Sequence, residues 1–285
     1  MAIQIRPVSH AIGAEVTGVD LGRELSEADW SVIRAAWLRH LLLVFPGQKL
    51  TPEQQIAFAS RFGEPDDHSE DPYYFLPGYP QIYQVGNFTL NGTMSKSKDA
   101  GRKWHSDYAF TLRPSVMGMM YCRKIPPVGG TTAFANMVLA YETLSDGLKR
   151  MLDGLEAVHD IMNYFPTAKD AAGMRQKLPA VVHPVVRVHP ETGRKALFVT
   201  KGYTARLAGM TKAEGSGLLE YLYAHSTQPQ FTYRHVYSVD DLVVWDNRCT
   251  QHMAPADYVH DAEHPRHLYL MQTRAPAGRL CLAGD

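Results

Sequence analysis

The chain has 285 residues, 45% of them hydrophobic and 20% charged, with 29 basic and 29 acidic side chains. That size and composition suit one large domain with a sizeable core. The zero net charge and the absence of a basic stripe argue against a nucleic-acid binder. The longest apolar run near the start, Leu41-Leu42-Leu43-Val44-Phe45, is far too short to span a bilayer. Cys122, Cys249 and Cys281 stand far apart without CxxC spacing, and the first residues hold no long apolar stretch. A cytoplasmic protein with free thiols, no signal peptide and no membrane partner is therefore expected.

Ile3-Gln4-Ile5 and Ala14-Glu15-Val16 alternate like short strands. Ser26 is placed to cap a helix with Trp30, Ile33, Ala36 and Trp37 on its apolar face. Leu41 to Phe45 reads as a buried strand closed by Pro46-Gly47. Thr51-Pro52-Glu53-Gln54 carries a capping threonine, a first-turn proline and a glutamine at the third helical position, which opens a helix stopped by Gly63. A strand around Gln81–Val85 interrupts a stretch rich in Asp, Pro, Gly, Tyr and Ser. The aperiodic run from Asn91 to Arg102 reads as a long loop of the kind that often closes over a ligand.

Strands are expected at Met117–Cys122 and Thr132–Ala135 around the Pro126–Gly130 turn, then helices at Met137–Leu144 and Asp146–Leu155. The runs Val181–Val188 and Ala196–Val199 flank a hairpin turn at His189–Gly193. Thr211-Lys212-Ala213-Glu214 is a capping box for a helix through Tyr223. The last strands are expected at Phe231–Tyr237, Leu242–Trp245 and Arg266–Thr273. No repeat or low-complexity tract divides the chain, so residues 1–285 are expected to form a single domain. Many short strands with a few helices, and no regular alternation of the two, predict a mainly β fold with flanking helices, of the jelly-roll type.

The chemistry concentrates at Trp104-His105-Ser106-Asp107. In extended backbone, residues i and i+2 point to one side, so His105 and Asp107 can present an imidazole and a carboxylate to one point. Such a pair alone also fits a turn-stabilising hydrogen bond. His252, beyond the apolar run Val243–Trp245, supplies a third candidate ligand. Two histidines and one carboxylate form a facial triad that leaves open positions on a divalent metal, with iron(II) favoured and zinc or manganese possible. Arg266, fourteen residues past His252, offers the planar fork that binds carboxylates.

Nearly the whole chain resembles the taurine dioxygenase / 2,4-D dioxygenase family. The matching stretches include Gly18-Val19-Asp20-Leu21, Trp104-His105-Ser106-Asp107, Gly129-Gly130-Thr131-Thr132, His183-Pro184-Val185-Val186, and Trp245-Asp246-Asn247-Arg248 with Gln251-His252. The resemblance implies a double-stranded β-helix and a reaction that uses Fe(II), 2-oxoglutarate and O2. It implies His105, Asp107 and His252 as metal ligands, and Arg266, helped by the Thr132 hydroxyl, as the site for the C5 carboxylate of 2-oxoglutarate. The expected outcome is hydroxylation of a C–H bond of a small organic substrate with release of succinate and carbon dioxide. Where the hydroxylated carbon bears a heteroatom, the product can split the C–heteroatom bond. The carboxylate at Asp107 argues against a halogenase. The resemblance also suggests a homodimer or homotetramer.

One departure from the family concerns the substrate. In taurine dioxygenase a second arginine, four residues beyond the first, grips the sulfonate. Here that position is Leu270, although a three-residue difference in His–Arg spacing leaves Arg274, on the same strand face, as the other candidate. With Leu270 in place the site loses a cation, and taurine becomes an unfavourable substrate. His68, Tyr73, Leu270 and Arg274 are the candidate substrate residues. Trp104 is read as a wall beside the metal, Asp246 and Asn247 as residues that fix the turn before His252, and His159, His183 and His189 as scaffold. Two other readings use the same ligands: a zinc hydrolase, and a jelly-roll protein that binds 2-oxoglutarate without turnover.

Overall fold

The computed structural model describes residues 2–69, 74–90, 93–95, 101–167, 171–255 and 257–275. Its architecture is mainly β with helices around it. The larger sheet runs in the order Gln4–Pro7, Ala14–Thr17, Leu42–Phe45, Leu242–Asp246, Met117–Lys124, His267–Arg274, Tyr79–Gly86, Phe75–Leu76. Glu64–Pro65 also pairs with the His267–Arg274 strand. A smaller sheet sets Thr132–Asn136 between Thr232–His235 and Thr250–Met253. Among the described residues no helix is long and apolar enough to cross a membrane.

The centre of the larger sheet is buried on both faces, which explains why its strands read as unbroken apolar runs. Side chains alternate across it. Leu43, Phe45 and Val244 pack with Trp30, Ile33, Trp37 and Phe58 of the first two helices, Glu27–His40 and Pro52–Ser60. Leu42, Val44, Val243 and Trp245 point the other way, towards Phe134 of the smaller sheet and Val138 and Leu222 of later helices. Burial of each such side chain contributes about 1.5–3 kcal/mol, so a one-residue slip of any central strand would be strongly disfavoured.

The caps expected from sequence are in place. Ser26 accepts from the Asp29 amide, and the capping boxes at Thr51/Gln54 and Thr211/Glu214 are complete. The first helix ends at Leu41, whose φ of 63° lies in the left-handed region. That conformation costs a leucine about 1–2 kcal/mol, set here against the burial of its side chain.

Other segments depart from expectation. The helix expected over Asp146–Leu155 stops at Leu152, and an unforeseen strand, Glu156–His159, follows. The run Val181–Val188 is two strands. Val181–Pro184 pairs with Glu156–His159, and only Val186–Val188 forms the hairpin with Lys195–Leu197. Thr204–Leu207 and Thr250–Met253 are further strands not anticipated as such. The Asn91–Arg102 loop falls largely outside the described residues, as do Tyr73 and Cys281.

Candidate metal centre

His105 and His252 meet through backbone. Each donates its amide to the other's carbonyl, at 3.1 and 2.8 Å, so an antiparallel bridge holds the two imidazoles side by side. His252 sits on its own strand, opposite Phe134 of Thr132–Asn136. Asp107 follows His105 by two residues, and the chain then turns sharply at Tyr108, with a φ of 53°. The Arg274 guanidinium lies over the Tyr108 ring, 4.3 Å from its centroid.

One nitrogen from each histidine and one Asp107 oxygen lie within 4.8 Å of one another, and all three residues are buried. Asp107 Oδ1 stands 3.7 Å from Nε2 of both His105 and His252, too far for a hydrogen bond. His105 Nδ1 lies 2.7 Å from the Lys103 carbonyl and donates to it, which leaves Nε2, facing Asp107, as the ring nitrogen available to a metal. His252 Nδ1 has no hydrogen-bond partner among the described residues.

Burial, and then repulsion from His105, push the His252 pKa well below its usual value, so its imidazole is neutral. Burial raises the Asp107 pKa, against the pull of His105 and hydrogen bonds from Asn247 and Gln272. A carboxylate desolvated beside two imidazole lone pairs is what a divalent cation would stabilise. The donor set of two nitrogens and one oxygen fits iron(II).

The three residues line a cavity of about 120 Å³ together with Thr132, Arg266 and Leu270. Arg266 is buried, donating from Nε to the Gly130 carbonyl at 2.8 Å and from Nη2 to Thr132 Oγ1 at 3.1 Å. Tyr237 also donates its hydroxyl to Thr132 Oγ1. No carboxylate among the described residues pairs with Arg266. The turn that presents the Gly130 carbonyl needs glycine at 129, because a Cβ there, at φ +79°, would lie 1.8 Å from the Asp257 carbonyl oxygen.

Leu270 and Arg274 are now distinguished. Leu270, paired with Tyr83 across the strands, lines the cavity. Arg274 is bonded to Asp66 and lies outside the lining. Asp66 has a pKa raised to about 6, by burial above all, with Arg274 opposing. His68 packs edge-on against Tyr83 at 5.2 Å, and it is Tyr83 that lines the cavity. Trp104 corrects an expectation. It is absent from the lining of this cavity and lines a separate pocket with Lys201 and Tyr223. Arg102, treated in the sequence reading only as a loop end, also lines this cavity and contacts the His260 ring.

The turn before His252 is tied by a buried charge network. Arg248 reaches both Asp246 oxygens, at 2.8 and 2.6 Å, and Glu191 at 2.6 Å, while His189 Nε2 lies 2.9 Å from Asp246 Oδ2. Burial works to raise the Asp246 pKa, but Arg248 and His189 outweigh it and hold the carboxyl well below the usual range. The stability this gives is fully present above the unfolded carboxyl value of about 3.9 and is lost as pH falls through the folded one. Arg248→Met leaves Asp246 buried without its guanidinium, with His189 as the remaining side-chain partner. It should cost about 3–5 kcal/mol in urea unfolding at pH 7; a loss under about 1 kcal/mol would mean the network is not structural.

Residues 4–272 match the family described as taurine catabolism dioxygenase TauD, TfdA family. The chain belongs to that family. It is 35% identical to the (S)-phenoxypropionate/alpha-ketoglutarate-dioxygenase of Sphingobium herbicidovorans, over 89% of each chain. It is 34% identical to the alpha-ketoglutarate-dependent 2,4-dichlorophenoxyacetate dioxygenase of Cupriavidus pinatubonensis, over 88% of this chain and 92% of the relative. Among solved structures, AAD-2 in complex with Mn(II) and N-oxalylglycine superposes with a TM-score of 0.84 at 30% identity, covering 97% of this chain and 98% of that one. As a family member the protein is a 2-oxoglutarate-dependent dioxygenase that uses Fe(II), 2-oxoglutarate and O2.

Proposed function

We propose that His105, Asp107 and His252 hold the iron(II), and that Arg266 with Thr132 holds the C5 carboxylate of 2-oxoglutarate. The supporting observation is a shared cavity: three converging donor atoms and a buried guanidinium without a carboxylate partner among the described residues line the same space. We read the two facing sheets as the double-stranded β-helix. One sheet joins Gln4–Pro7 with His267–Arg274, which supports a single domain.

Bound iron(II) would supply the redox chemistry: 2-oxoglutarate, dioxygen and a substrate C–H group become succinate, carbon dioxide and the hydroxylated substrate. The protein's own residues provide geometry. Arg266 orients the cosubstrate along the cavity, and Tyr237 fixes the Thr132 hydroxyl beside it. The Lys103 carbonyl keeps His105 in its ligating tautomer. Tyr83, Val85, Met120 and Leu270 exclude water from the reacting carbon and receive the apolar body of the substrate.

Leu270 offers no cation for a small sulfonate, so the reading favours a substrate with an apolar body over taurine. The relatives named for phenoxypropionate and 2,4-dichlorophenoxyacetate point the same way. For an ether of that kind, hydroxylation at the carbon bearing oxygen gives a hemiacetal or hemiketal that collapses with C–O cleavage. The test is succinate release with 2-phenoxypropionate, 2,4-dichlorophenoxyacetate, a medium-chain alkyl sulfate and taurine. Substrate-dependent succinate with one of the first three, and none above background with taurine, is expected. Turnover of taurine at a comparable or higher rate would contradict the assignment of Leu270.

A further inference from the structure

We infer that Asn247 is a positioning residue that restricts Asp107 to a single metal-facing oxygen. The inference rests on the reading of Asp107 as a ligand and goes beyond it to how many positions on the metal stay open. Asn247 is buried, and its amide orientation is fully determined. Trp245 donates Nε1–H to Asn247 Oδ1 at 2.9 Å, so that atom is the carbonyl oxygen and the other is the nitrogen. The Asp107 backbone amide donates to the same oxygen at 3.3 Å. Asn247 Nδ2 then gives one hydrogen to Asp107 Oδ2 at 3.0 Å and the other to Ser115 Oγ at 3.2 Å.

The indole that starts this relay has its own requirement. Gly118 faces Trp245 across the strand pair, and a Cβ there would lie 2.2 Å from the ring. Trp245 and Asn247, two residues apart, are therefore locked into a common orientation towards Asp107. The two carboxylate oxygens are then unequal. Oδ2 accepts from the Asn247 amide, while Oδ1 lies 3.7 Å from both imidazole nitrogens.

This inequality matters for the reaction. On a six-coordinate ion, two imidazoles and one carboxylate oxygen leave three positions. 2-Oxoglutarate takes two of them and dioxygen needs the third. If Oδ2 swung onto the metal, the carboxylate would chelate, and cosubstrate binding would fill the site. Asn247 keeps that position free by holding Oδ2 in a hydrogen bond.

Asn247→Leu keeps the volume and removes the donor. Folding is checked by circular dichroism, with Asn247→Ala as the second variant should the leucine not fit. Ser115→Ala perturbs the same buried network and leaves the donor from Asn247 to Asp107 Oδ2 in place. Two measurements are made anaerobically: Mn(II) affinity by electron paramagnetic resonance, and nitric oxide binding to the iron(II)–2-oxoglutarate protein as a dioxygen surrogate. The folded Asn247 variant should bind Mn(II) about 10- to 100-fold more weakly. At saturating metal and 2-oxoglutarate it should also lose at least about tenfold in nitric oxide affinity, while Ser115→Ala stays near wild type. Nitric oxide affinity in the Asn247 variant within about twofold of wild type overturns the inference, whether or not metal affinity has fallen. Failure of the wild-type protein to bind Mn(II) is a different result and would overturn the metal-centre reading instead.

Discussion

Replacing Asp107 by alanine should abolish 2-oxoglutarate turnover and leave a folded protein. The carboxylate is the only anionic member of the donor set, and its Oδ1 faces both imidazoles. A partner that merely orients a ligand is worth about 10–100-fold in metal affinity or activity, so loss of the ligand itself should exceed about 100-fold. The fold should survive because Asp107 carries a desolvation cost that raises its pKa; removing a buried acid does not remove core packing. Succinate release at saturating iron and 2-oxoglutarate, with circular dichroism as the folding control, checks this. A variant that keeps a tenth or more of wild-type turnover, roughly, would remove Asp107 from the ligand set.

The second large effect is expected at Arg266. Its guanidinium is buried, held by the Gly130 carbonyl and Thr132, and aimed into the cavity that contains the donor atoms. Removing one partner of a buried charge pair costs about 2–5 kcal/mol, which is roughly a 30-fold or greater rise in the dissociation constant of 2-oxoglutarate. Arg266→Met should show this while metal affinity stays near wild type, because Arg266 contacts none of the donor atoms. Arg266→Lys should fall between the two, since it keeps the charge and loses the fork. Calorimetric titration of the Mn(II)-loaded protein separates these outcomes. Unchanged 2-oxoglutarate affinity in Arg266→Met would refute the role of the guanidinium. The Arg266–Thr132 pairing also has no task in a zinc hydrolase, and the family membership supports the dioxygenase reading over that alternative.

The convergence of His105, Asp107 and His252 was readable because its signals are local. His105 and Asp107 stand two residues apart in one short stretch, and His252 follows an apolar strand whose burial on both faces is written in its composition. The helix caps at Ser26, Thr51 and Thr211 were likewise local, since capping depends on residues within one turn. What the sequence hid were relations between distant segments. Glu156–His159 and Thr204–Leu207 are strands because they pair with each other, and short strands take their identity from such partners. Alternation could not separate Leu270 from Arg274, because both share a face with Arg266. Position along the strand separates them: eight residues of strand span about 27 Å, and Arg274 ends beside Asp66, beyond the cavity. Asn247 read as a turn residue, since nothing near it in sequence announces the bond to Asp107 that brings it into the site.

The most direct test is an anaerobic titration of the wild-type protein with iron(II) and then 2-oxoglutarate, followed by visible absorption. The account predicts one iron per chain and a new charge-transfer band that saturates at one equivalent of cosubstrate, absent from the Asp107 and His252 alanine variants. Stoichiometric iron binding that persists in those variants, or a fully metal-loaded protein that develops no band with 2-oxoglutarate, would contradict it.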